Sequence, residues 1–127
     1  EEKLQVSMDV EDDLNCLVPS FILQPLVENA VRYGADAKGM RTVSIQARTI
    51  DDLVEISVSD KGPGIPKDMV IQLYSGEGRG GVGLKNVHRR LKSIYGEDNG
   101  LKIETSAAGS RVWFRVPRSA EQDAENR

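Results

Sequence analysis

Two runs rich in β-branched residues, 42–49 and 53–59, are separated only by a short turn around Asp51 and Asp52. That spacing predicts two strands paired as a hairpin, and helical patterns flank the pair on both sides. Pro19 and Ser20 open one such pattern, which runs to about Tyr33 and is stopped by Gly34. Pro25 lies inside it and predicts first turns that are separate, tight or kinked. Residues 67–74 form a short possible helix. From Gly83 to about Tyr95, Leu84, Val87, Leu91 and Ile94 recur at helical spacing. Leu4, Val6, Met8 and Val10 alternate with polar residues, which reads as a half-buried strand broken by the sequence EDDLN. Residues 101–105 and 111–116 are the last two strands. Strands mixed with three helices in this order give an α+β two-layer α/β sandwich.

A chain of 127 residues makes one domain with a real but not large core. Net charge is −3, which argues against a general nucleic-acid or anionic-membrane binder. The single cysteine, Cys16, excludes an internal disulfide framework and fits a reducing compartment. With one histidine, His88, no His-rich metal site can be built. No apolar run approaches the roughly 18 residues that span a bilayer. The opening EEKLQVSMDV already reads as folded sequence, so a piece of a longer protein is expected. Residues 119–127 read as a polar tail beyond a domain covering 1–118.

At roughly 100° per residue, Leu23, Leu26, Val27, Ala30 and Val31 share one side of the first long helix. Glu28, Asn29, Arg32 and Tyr33 share the other. A solvated face with a Glu28–Arg32 ion pair accounts for that polar group. So does a cation and polyphosphate site. A carboxamide oxygen suits Mg²⁺, which keeps most of its waters. A neighbouring carboxylate can orient and deprotonate a nucleophile, and a guanidinium holds phosphate oxygens. The helix alone does not decide between the two.

Two glycine-rich loops bear on the choice. In the first, DKGPGIP, Asp60 stands at a strand end and is followed by Gly62, Gly64 and Ile65. As a site, Asp60 would accept a hydrogen bond from an exocyclic amine such as adenine N6, with the glycines leaving room for the base; a plain turn is the other reading. In the second, Gly78 to Leu84 (GRGGVGL) leads straight into a helix, whose first N–H groups favour phosphate. A flexible linker is the alternative. This loop lacks the Lys-Ser/Thr ending of a P-loop and does not follow a strand as a dinucleotide fingerprint would. The glycine-rich segment 75–83 is expected to be mobile.

The order VENAVRYG, DKGPGIP, GGVGLKNV resembles the N, G1 and G2 boxes of the GHKL ATPase superfamily. The phrases VPSFILQPLVENAVRYG, GVGLKNVHRRLKSIYG and GSRVWFRVP are similar to sensor histidine kinases of the autolysin-regulator type. The resemblance covers about residues 4–117. It implies the Bergerat ATPase fold: a mixed sheet of about five strands with three helices on one face, and a short lid over about residues 66–80. It also implies an ATP and Mg²⁺ site. By that resemblance Glu28 is the N-box acid, Asn29 the Mg²⁺ ligand and Arg32 the phosphate contact, with Tyr33 beside them. Asp60 reads adenine, with Gly62, Gly64 and Ile65 around it. Gly81, Val82, Gly83 and Leu84 form the G2 box, and Ser110 lies near the adenine through water. Tyr33 stands where the family usually has histidine, Lys61 where it has asparagine, and Arg79 and Gly80 are also departures. Arg79 is a candidate extra phosphate contact.

The implied activity is transfer of the ATP γ-phosphoryl to a histidine on a separate upstream dimerisation and phosphoacceptor domain, with a response regulator as downstream partner. The whole protein would be a membrane-anchored homodimer with this domain on the cytoplasmic side. His88 sits in a basic run on the last helix and reads as solvated surface. Two other readings share the fold: a serine kinase of the anti-sigma-factor type, and a nucleotide-binding regulatory module without catalysis.

Overall fold

The computed structural model describes residues 3–11, 18–78 and 82–118. The elements are β1 (Lys3–Val10), α1 (Ser20–Tyr33), β2 (Met40–Ile50), β3 (Leu53–Asp60), α2 (Lys67–Ser75), α3 (Val82–Tyr95), a 3-10 turn (Glu97–Asn99), β4 (Lys102–Ser106) and β5 (Gly109–Pro117). The expected hairpin is β2 and β3, antiparallel from Val43–Asp60 to Ile50–Leu53. Asp51 takes the left-handed turn position, with φ 54°. The sheet order is β1-β2-β3-β5-β4. β1 runs parallel to β2 and every other pair is antiparallel, so the sheet is mixed.

One face of this sheet makes the core. Val43 and Ala47 of β2, Val54, Ile56 and Val58 of β3, and Val112, Phe114 and Val116 of β5 pack with Ile22, Leu26 and Ala30 of α1, Leu73 of α2, and Leu84, Val87 and Leu91 of α3. Phe114 is fully buried; removing a side chain of that size costs about 3–5 kcal/mol. The α1 core line is therefore Ile22–Leu26–Ala30, one turn apart each time. Leu23, Val27 and Val31, expected on the core side, run beside it half-buried. Ile94 continues the α3 periodicity but is exposed, while Tyr95 beside it packs against the core. The alternation in β1 was expected to be half-buried, yet Leu4, Val6, Met8 and Val10 are all exposed. β1 is an edge strand, and α1 packs over β2 and β3.

The other sheet face is polar but closed. Glu55 accepts hydrogen bonds from Arg48, Arg111 and Arg115, and it is buried beneath them. Burial raises the pKa of this carboxyl, but the bonds from Arg115 and Arg111 outweigh that and hold it below its ordinary value. The Arg111 and Arg115 guanidinium groups both lie over the Trp113 ring, at 5.3 and 5.0 Å. This explains why β3 is buried on both sides.

Pro25 does not break α1, which is continuous. Proline has no N–H to give the Phe21 carbonyl four residues back. Arg90 Nη1 of α3 supplies the missing bond to Phe21 O at 2.9 Å, and its guanidinium sits 5.0 Å from the Phe21 ring centre. The proline thus creates an acceptor that ties α1 to α3. Among the described residues, no helix is long and apolar enough to cross a membrane.

Candidate nucleotide-binding site

α1 ends in the middle of the candidate site. Its last carbonyls lack intrahelical partners, and Arg41 Nη1 from β2 donates to Val31 O at 2.6 Å and Arg32 O at 3.3 Å. The helix end is thereby fixed relative to the sheet. Glu28 and Arg32 are exposed, Tyr33 is 38 % exposed, and Asn29 is half-buried. The Glu28–Arg32 ion pair does not form among the described residues. Glu28 Oε1 instead accepts from Gln24 Nε2 at 2.9 Å, one turn back. Glu28 and Arg32 line a cavity of about 480 Å³ with Val27, Val31 and Arg41.

Asp60 closes β3 beside that helix end. Its Oδ1 accepts the Gly62 N–H at 2.9 Å, and the backbone of Ser110, its register partner on β5, also bonds the carboxyl. Burial raises the Asp60 pKa above the usual aspartate value, and the two backbone bonds only partly offset this. A carboxylate is a strong, charge-assisted acceptor for an amine.

The glycines around Asp60 act differently from the expectation that they leave room for a base. A Cβ on Gly62 would stand 2.4 Å from Tyr33 O and 2.8 Å from Gly34 Cα. A Cβ on Gly34 would stand 2.8 Å from the Asp60 Cβ. One on Gly64, at φ +97°, would meet Ser106 O at 2.4 Å. The protein's own backbone fills those spaces. The glycines let the end of α1, the Asp60 loop and the β4–β5 turn interlock. A hydroxyl chain finishes the lock: Ile65 N–H donates to Thr105 Oγ1 at 2.8 Å, and Thr105 Oγ1 and Ser110 Oγ are 2.9 Å apart.

α3 supplies the third side, packed against α1. Gly83 lies in its first turn, exposed, with none of the described residues within 4 Å of the position its Cβ would take. The N–H groups of this turn have no partner within the helix and point at whatever sits before it. Lys85 is buried and donates through Nζ to Glu77 O at 2.8 Å and to Gly78 O. It fastens the segment after α2 to the helix start.

The end of α1 and the Asp60 loop are thus locked together, and α3, which opens with Gly83, packs against α1. Other expected contacts are placed differently. The Ile65 and Leu84 side chains are 7 % and 3 % exposed and belong to the core, leaving only their backbone for a ligand. The Ser110 hydroxyl is engaged by Thr105. Arg79 and Gly81 lie outside the described residues, as does the Val82 side chain. His88 is not the solvated residue its basic surroundings suggest. It is half-buried, its Nδ1 accepts the Leu101 N–H at 2.9 Å, and Tyr74 meets it edge-on at 5.3 Å. Burial, then Lys92 and Lys102, depress its pKa. The sequence marks Gly34 only as a helix stop. Thr105, Arg41 and Lys85 gave no sequence signal, because each acts through a tertiary contact.

A mixed five-stranded sheet with three helices, and an aspartate loop locked against a helix end, fits a class of nucleotide-binding ATPase domains. Residues 19–120 match the family described as histidine kinase-, DNA gyrase B- and HSP90-like ATPase, and the chain belongs to that family. Within it, the chain is 38 % identical over 118 residues to the sensor histidine kinase YpdA of Escherichia coli (strain K12), covering 91 % of this chain and 20 % of that protein. It is 33 % identical over 129 residues to the sensor histidine kinase/phosphatase LytS of Staphylococcus aureus (strain MRSA252), covering 95 % and 22 %. The fold matches the nucleotide-free catalytic domain of histidine kinase ThkA with a TM-score of 0.70 at 22 % identity, covering 94 % of this chain and 82 % of that one. The chain spans about a fifth of the length of these curated relatives.

Proposed function

We propose that this chain is the ATP-binding catalytic domain of a sensor histidine kinase. The observation that carries the proposal is the interlock of Gly34, Asp60 and Gly62, which fixes the polar end of α1 against a desolvated aspartate. Asp60 would take the adenine amine. The first-turn N–H groups of α3 and the Arg32 guanidinium would take phosphate oxygens. Among the described residues no three His, Cys, Asp or Glu side chains cluster as a metal cage. Mg²⁺ takes few protein ligands, and Asn29 would hold it with Glu28 adjacent. When bound, the ion neutralises phosphate charge.

The acceptor would be a histidine on a separate dimerisation domain. Its ring nitrogen bonds to the γ-phosphorus as the bond to the β–γ bridging oxygen breaks; ADP leaves, and Glu28 takes the imidazole proton. The response regulator, homodimerisation and a membrane tether holding the domain at the inner face belong to the same proposal.

Calorimetric titration with ATP, ADP and Mg²⁺ tests the site. Absence of binding at millimolar nucleotide would overturn the kinase reading. Unchanged Mg²⁺ dependence in Asn29→Ala would remove the metal assignment. The domain joined to its own upstream helices should phosphorylate a histidine. An undiminished rate in Glu28→Gln would remove the base.

A further inference from the structure

Basic side chains gather on the face of α3 turned away from α1. Arg90 marks the α1 side of the helix through its bond to Phe21 O. Lys85, His88, Arg89 and Lys92 lie roughly 100–160° around the helix from it. Those four line a cavity of about 460 Å³, which Tyr74 of α2 and Glu97 of the 3-10 turn help to close. Neither the end of α1, nor the Asp60 loop, nor Gly83 lines it, so it is separate from the candidate nucleotide site. Three cations meet one carboxylate there, in a chain whose net charge is −3. The Glu97 side chain is 84 % exposed, so water screens its charge.

Three of these side chains keep a donor in reserve. Lys85 is 8 % exposed, and its Nζ gives two N–H bonds, to Glu77 O and Gly78 O, leaving a third. Arg89 is exposed and has no hydrogen-bond or ion-pair partner among the described residues. His88 accepts the Leu101 N–H at Nδ1, so the neutral ring carries its proton on Nε2. Among the described residues the one buried side-chain nitrogen or oxygen without a partner is Trp113 Nε1, so His88 Nε2 is open to solvent. We infer that this cavity is a second anion site, which takes the phosphate group of a small molecule. The Arg89 guanidinium suits two phosphate oxygens at once, the lysines add point charges, and His88 Nε2 adds a neutral donor. The volume exceeds that of a bare phosphate and lies in the range of small-molecule clefts. The groups facing His88 are Tyr74 from α2, Lys85, Arg89 and Lys92 along α3, Glu97 from the 3-10 turn and Lys102 from β4. After burial, Lys92 and Lys102 are what depress its pKa, which marks the local potential as positive.

His88 is the sole histidine, so its ring protons give one assigned pair of proton NMR signals. These are followed through pH in chloride and in inorganic phosphate at equal ionic strength. An anion in the cavity favours the imidazolium, so phosphate should raise the His88 pKa saturably, by about half a unit or more. Arg89→Ala and Lys92→Gln should each weaken phosphate binding about tenfold or more. Arg89 is an exposed helix position where alanine is a better helix former, so that variant keeps the fold. Lys102→Gln is the control for general potential. It removes a cation that acts on His88 without lining the cavity, so it should raise the pKa in chloride and leave phosphate affinity unchanged. Gly83→Ala should also leave the His88 response unchanged. A shift that never saturates, or one that Lys102→Gln weakens as much as Arg89→Ala does, reports diffuse screening and overturns the site. Loss of the response in Gly83→Ala would put the phosphate at the start of α3 and overturn it equally. So would a His88 signal that phosphate does not move.

Discussion

Gly83→Ala separates the needs of the fold from those of the ligand. Gly83 lies in the first turn of α3 with open space where a side chain would go. A methyl group there meets none of the described residues. Glycine in a helix costs about 0.5–1 kcal/mol relative to alanine, through backbone entropy. The variant should therefore be more stable by up to that amount. For a domain of this size, that raises Tm by roughly 2–6 °C. Bound nucleotide reverses the sign. If the phosphates rest on the α3 N–H groups, they occupy the space the methyl would fill, and the contact is lost or lengthened. The expected loss is tenfold or more in ATP affinity, about 1.4 kcal/mol. Thermal melting without nucleotide and calorimetric titration with ATP and Mg²⁺ read the two effects separately. A variant that is stabilised and still binds ATP at wild-type affinity would refute the placement of phosphate at this helix start. A destabilised variant would refute the reading of the space as open.

The Asp60 pKa is raised, so its contribution to stability is present below about pH 3.8 and is lost as pH rises through the folded value. At neutral pH the buried carboxylate costs stability; Asp60→Asn keeps the Oδ1 acceptor for Gly62, so it should melt higher while binding nucleotide at least about tenfold more weakly, and the melting advantage should shrink toward pH 4. His88 has the opposite dependence: its depressed pKa gives stability that is present above about pH 6.5 and lost as pH falls through the folded value. The acid-side drop in Tm between pH about 7 and about 5 should flatten in His88→Asn; an unchanged profile would show that another group titrates. Arg90→Ala removes the bond to Phe21 O and the contact over its ring, at a cost of about 1–2 kcal/mol by denaturant melting. In a Pro25→Ala background, where α1 regains its own N–H donor, the cost of Arg90→Ala should fall, and equal costs would sink the account of Pro25.

Local pattern was enough to give the elements, and the order of three short phrases carried the resemblance to the three boxes. Hairpin spacing, helical periodicity and glycine loops are consequences of near-neighbour chemistry, and they placed five strands and three helices within a few residues of their observed bounds. The same patterns marked Asn29, Asp60 and Gly83 as candidates, because a carboxamide, a strand-end carboxylate and a helix-start glycine have recognisable neighbours. Long-range contact decided the rest. Only the sheet order makes β1 an edge, so its alternating residues are exposed rather than half-buried. Only packing shows that Gly62 and Gly64 make room for the protein's own backbone, and that Leu84 and Ile65 belong to the core. His88 read as surface because its charged neighbours lie along the helix, while its partners, Leu101 and Tyr74, lie across the fold. Periodicity tells which side of a helix turns inward. It does not tell how far the neighbouring layer reaches, and that reach decided whether each apolar stripe became core or an open surface.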